Sequence, residues 1–159
     1  MPHTKLSPEA ARIFRHLLAT IAFRASRSLR DAPAGFEDVR LGDGGMTARE
    51  LVQHMTNVMA FALATVTGTE RIRHEALDWP QEVARFYSLL SQVDSRLAEG
   101  AAVEEGMDLR LLQGPLADAL THIGQLHAMR RSAGAPVGPT NYIRADVQIG
   151  RLTLEDQSE

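Results

Sequence analysis

Apolar positions recur at three- and four-residue intervals along four stretches of the chain, with glycine- and proline-rich breaks between them. The first stretch opens at Ser7-Pro8-Glu9. Serine suits an N-cap, proline the first helical position, and glutamate the positive end of the helix dipole. Ile13, Phe14, Leu17, Leu18, Ile21 and Ala25 follow on one face, and the pattern fades near Leu29, ahead of Pro33. Asp31 to Met46 then reads as a long loop, punctuated by Pro33, Gly35, Gly42, Gly44 and Gly45, and loops of that length are often functional. A second helix is predicted from Thr47, where Thr47 and Glu50 form a capping box, to Gly68. Its stripe is Leu51, Met55, Val58, Met59, Ala62 and Val66. A third helix is predicted from about Pro80 to Glu99, with Phe86, Leu89, Leu90, Val93 and Leu97 inward and Gly100 as the stop. The fourth runs from about Met107 to Ser132, with Leu112, Leu116, Ala119, Leu120, Ile123 and Leu126 on one face and Gly134 and Pro136 beyond its end. Gly114-Pro115 marks either its true start or a kink.

Four amphipathic helices with no convincing strand predict an all-α four-helix bundle in one domain, residues 1–159. The tail, Val137 to Glu159, is expected to pack across the bundle through Tyr142, Ile143, Val147 and Ile149. Composition agrees: aromatic residues are only 5% of the chain, while alanine and leucine, both helix formers, are plentiful. A formal net charge of -3, without a basic patch interleaved with aromatics, argues against a nucleic-acid partner. No apolar run is long enough to span a membrane, and the first residues lack the pattern of a secretory signal, so a cytoplasmic chain is expected. The chain has no cysteine, which excludes disulfides, thiolate ligands and a cysteine nucleophile from it. Lys5 is its single lysine, which argues against Schiff-base chemistry. No phosphate-binding glycine loop and no nucleophile elbow is present.

A few polar residues fall where apolar ones belong. At 100° per residue, Asp118 and His122 lie roughly 80–130° to one side of the apolar centre of the fourth helix. They share that strip with Leu111, Pro115 and Met129. Four residues apart, they point the same way and can chelate one ion. His54 lies at the edge of the second helix's stripe, in line with Val58 and Phe61. If these strips face each other, two imidazoles and a carboxylate meet between helices, a donor set that suits zinc, nickel, iron or manganese. A hydrogen-bonded cluster that fixes packing explains the same pattern. Gln125 is a candidate to hydrogen-bond a ligand from behind or to hold a metal-bound water, or else to bond between helices, and Asn57 is a candidate to point into the same cavity or else out to solvent. His127 falls on the apolar face and reads as a core or interface histidine. His16, His74 and His3 look peripheral, and Gly124 suits close helix approach. Arg130 and Arg131 suit the negative end of the fourth helix; an arginine there, or Tyr142, Arg144 and Asp146 in the tail, could also reach the mouth of the site.

The stretch from Leu112 through His122-Ile-Gly124-Gln125 to Pro136 resembles the last bundle helix of the DinB-like superfamily. Thr47 to His54 resembles the start of that family's second helix, and Trp79-Pro-Gln-Glu82 with Phe86 its third. The resemblance implies that His54 and His122 are metal ligands. Asp118 stands where the family has a further histidine, which would make the set a two-histidine, one-carboxylate triad. It also implies a homodimer, and a metal-dependent enzyme that transfers a low-molecular-weight thiol to an electrophilic small molecule. The metal would bind the thiol sulfur and lower its pKa. The same ion could activate water for hydrolysis. The rival reading is a non-catalytic stress-related or structural bundle, with or without bound metal.

Overall fold

The computed structural model describes residues 3–157. Four long helical segments form a bundle, closed at one end by a small sheet. The order is β1 (His3–Lys5), α1 (Pro8–Leu29), a 3-10 turn (Phe36–Asp38), α2 (Ala48–Thr67), α3 (Trp79–Ala98), β2 (Ala102–Glu104), α4 (Met107–Leu111), a π turn (Leu112–Leu116) and α5 (Ala117–Ser132). The chain's local signals set the ends. Ser7 caps α1 by accepting from the Ala10 amide at 3.1 Å. The Thr47–Glu50 capping box starts α2, and Gly68 ends it in the left-handed region at φ 67°. Asp78, not singled out from the sequence, caps α3 through the Gln81 amide.

α1 and α2 each pack against α3 and α5 and lie diagonally opposite one another. Arg15 pairs with Asp94 and the Tyr87 hydroxyl donates to the Ala22 carbonyl, so α1 and α3 run antiparallel. His127 meets Arg24 and Arg130 meets Ser28, so α1 and α5 run the same way. The centre is filled by Leu18, Ile21, Met55, Met59, Phe86, Leu90, Ile123 and Leu126, all almost fully buried. Each contributes about 1.5–3 kcal/mol of transfer free energy, so apolar burial carries the fold.

The structure corrects or refines four expectations. First, two short strands exist. β1 pairs antiparallel with β2, Thr4 opposite Val103, and Val103 is buried under the bundle's end. Three-residue strands are too short for alternation to show in sequence. His3 lies in β1.

Second, the fourth helix contains a π turn. Pro115 has no amide to donate, and its ring would collide with the Leu111 carbonyl in a regular helix; the wider turn relieves both conflicts. It shifts the helix phase by one residue. Leu111 is therefore buried and Leu112 42% exposed, while Leu116, Ala119, Ile123 and Leu126 keep the inward face. On α1, Ile13 likewise faces out, at 52% exposure.

Third, the tail is anchored by buried Leu152, with Val147 and Leu154 half-buried against the core. Ile143 is 97% exposed and Ile149 lies at the surface. Tyr142 packs edge-on against Phe23, under the Arg24 guanidinium.

Fourth, the loop after α1 is pinned by Phe36, which is 1% exposed and meets Trp79 edge to face at 5.9 Å. Gly35, at φ 79°, makes the left-handed turn that delivers it. Residues 69–78, an irregular connection, run back along α2. The Asn57 Oδ1 accepts from the His74 amide at 2.9 Å. Glu82, fully buried, accepts from the Leu77 amide and from Arg85, which also holds the Glu75 carbonyl. α3 thus begins at the same end of the bundle as α2.

Candidate metal centre

The capping box fixes where α2 begins and so the depth at which His54 projects. The phase after the π turn fixes where Asp118 and His122 project from α5. α2 and α5 are neighbours, and the three side chains converge. His54 Nε2 lies 2.9 Å from Asp118 Oδ2, and His122 Nε2 lies 3.3 Å from Asp118 Oδ1. The two imidazoles meet edge to face with centroids 4.6 Å apart. One donor atom from each residue falls within a 4.8 Å span, so the group could hold a metal ion. With metal–ligand bonds of about 2.1 Å, donors around one ion sit roughly 3–3.5 Å apart, so small side-chain adjustments suffice.

Gln125 orients His122. Its Oε1, which can only accept, lies 2.6 Å from His122 Nδ1, so Nδ1 carries the proton and donates. That leaves the Nε2 lone pair facing a carboxylate oxygen. A metal ion there could take that lone pair together with the carboxylate. The donor set, two neutral imidazoles and one carboxylate, suits borderline divalent transition metals.

The centre is open on one side. Side-chain exposure is 37% for His54, 40% for Asp118 and 15% for His122. His54 forms a wall shared by two clefts. One, about 480 Å³, lies toward the π turn and is lined by Val58, Phe61, Arg71, Gln113, Pro115 and Asp118 among others. The other, about 430 Å³, lies toward the α1–α2 loop and is lined by Arg40, Gly44, Gly45, Glu50, Asn57 and Arg73 among others. A π turn beside a polar cluster is a common feature of functional sites.

Several other candidates are placed elsewhere. Asn57 lines the second cleft, but its amide is bonded to Gln53 and His74 backbone rather than to the trio. Gly124 is exposed and has no neighbour that a side chain would meet, so it serves no close helix approach. His127, half-buried, meets the Arg24 carbonyl at 3.2 Å; burial first, then nearby arginines, push its pKa down. His16 is exposed. His74 is tethered in the 69–78 connection, and burial lowers its pKa. Arg130 is far from the mouth of the site in role: buried, it donates to the carbonyls of Ser28, Arg30 and Ala135. Tyr142, Arg144 and Asp146 line neither cleft. Arg71 lines one and Arg73 the other, and neither shows in the sequence because the backbone that presents them has no period of its own.

No helix among the described residues is long and apolar enough to cross a membrane. Comparison with family models, with curated proteins and with solved structures yields no match.

Proposed function

We propose that this chain is a DinB-like, metal-dependent enzyme that transfers a low-molecular-weight thiol to an electrophilic small molecule. The observation that supports it is the convergence of His54, Asp118 and His122 at an open surface between two clefts. The three residues would hold one divalent transition metal, with Gln125 keeping His122 in the ligating tautomer. When bound, the metal would lower the pKa of a thiol and hold it as thiolate, or activate a water if the reaction is hydrolysis. The chain itself supplies no competing thiolate, since it has no cysteine. Two clefts that meet at His54 give two reactants separate approaches to one centre.

The direct His54–Asp118 hydrogen bond favours a second reading, a non-catalytic bundle in which the trio is a polar packing contact. Metal analysis separates the two. Protein purified without chelator should hold about one equivalent of a transition metal, and His122→Ala should hold none. The loaded protein should then consume a small thiol in the presence of an aryl halide. No metal in either protein after incubation with zinc, nickel and manganese would rule out the enzyme reading. Metal without thiol consumption or hydrolysis would leave a metal-binding bundle.

A further inference from the structure

Two connections far apart in sequence each deliver an arginine to the same side of His54. Arg40 comes from the loop between α1 and α2, Arg73 from the connection between α2 and α3, and both line the cleft of about 430 Å³. The connection that carries Arg73 is held in place: Asn57 binds the His74 amide at 2.9 Å, and Glu82 and Arg85 hold Leu77 and Glu75. Arg71, on the same connection, lines the second cleft beside Asp118. Among the described residues neither the Arg40 nor the Arg73 guanidinium makes a side-chain hydrogen bond or an ion pair within 4.0 Å, and Arg40 acts on Glu50 only at longer range. The acid on the same wall is Glu50. Its carboxylate is committed to the Thr47 amide at 2.7 Å as part of the capping box, which together with Arg40 holds its pKa down. The cleft therefore carries an excess of positive charge on a chain whose net charge is -3.

Two guanidinium groups lining one concavity match the planar oxygens of a carboxylate or phosphate. The cleft's size fits a small molecule rather than a polymer. We infer that the molecule handled at the His54–Asp118–His122 centre carries a carboxylate or phosphate group, seated by Arg40 and Arg73 in the cleft beside His54. The reading that this centre handles a substrate is the one proposed above; the anion site itself depends only on the arginines.

The test is calorimetric titration of metal-free protein with succinate, inorganic phosphate and, as the neutral control, succinamide. Succinate or phosphate should saturate one site, and whichever binds more tightly names the oxyanion; succinamide should not bind. Arg40→Gln with Arg73→Gln should weaken binding about tenfold or more, which two lost charge-assisted contacts readily supply. Both positions are exposed, so the double variant should keep its helical circular dichroism. Arg49→Gln, a nearby arginine outside the cleft and paired with Asp38, should bind as wild type. His122→Ala should also bind the anion as wild type, so failure to load metal and failure to bind an anion are separate results. No binding of either anion, equal binding by the double variant, or an equal loss in Arg49→Gln would overturn the inference.

Discussion

Asp118→Ala tests the reading of the centre most directly, because the two readings predict different losses of stability and different responses to metal. Asp118 contacts both histidines, at 2.9 and 3.3 Å, yet its side chain is 40% exposed and that of His54 37%. Contacts screened to that extent contribute about 0–1 kcal/mol each at most. The metal-free variant should therefore unfold within about 2 kcal/mol of the wild type, or a few degrees for a chain of this size. A metal that binds only the folded state adds about 2.7 kcal/mol when present at a hundredfold excess over its Kd. That corresponds to a rise in Tm of roughly 5–10 °C. The wild type should show this rise with zinc or nickel, and Asp118→Ala at the same concentration should show little of it. Losing a direct ligand should weaken binding by more than the roughly 10–100-fold typical of an outer-shell partner. Differential scanning calorimetry with and without metal reads both quantities. A metal-free Asp118→Ala that loses about 3 kcal/mol or more, or a wild type that gains nothing from any of these metals, would refute the argument: the trio would then be a packing cluster.

Arg130→Met should cost about 3 kcal/mol in urea unfolding, since it strips charge-assisted donors from the Ser28, Arg30 and Ala135 carbonyls in a buried site. Leu152→Ala should cost about 2–4 kcal/mol by opening a cavity under the tail, whereas Ile143→Ser, at 97% exposure, should change stability by less than about 0.5 kcal/mol. Burial, helped by Arg24, Arg27 and Arg130, lowers the folded-state pKa of His127 below the ordinary 6.5, opposed only by the Arg24 carbonyl. The unfolded chain then takes up a proton before the folded one does, so this contribution to stability is intact above pH 6.5 and is lost as pH falls through the folded-state value. His74 has the same sign. His127→Gln should therefore flatten, but not abolish, the fall in Tm between neutral and mildly acidic pH; an unchanged slope would contradict the assignment.

The sequence by itself determined the four helices and most of their ends, because caps and stop signals act within a few residues: Ser7-Pro8, the Thr47–Glu50 box, Gly68 and Gly134 need no tertiary partner. It also singled out His54, Asp118 and His122, since polar residues on an apolar strip stand out against helical period. Convergence of those three was decided by the packing of α2 against α5, a long-range contact that no local pattern encodes. The phase error at Leu112 arose because periodicity assumes a regular helix, whereas Pro115 widens one turn to avoid the Leu111 carbonyl. Phe36, Leu152 and the strand pair were hidden for a related reason. Each is a single residue or a triplet whose burial depends on where a loop lands. Arg40 and Arg73 carry no signal in the sequence; only the fold brings their two connections to one cleft beside His54.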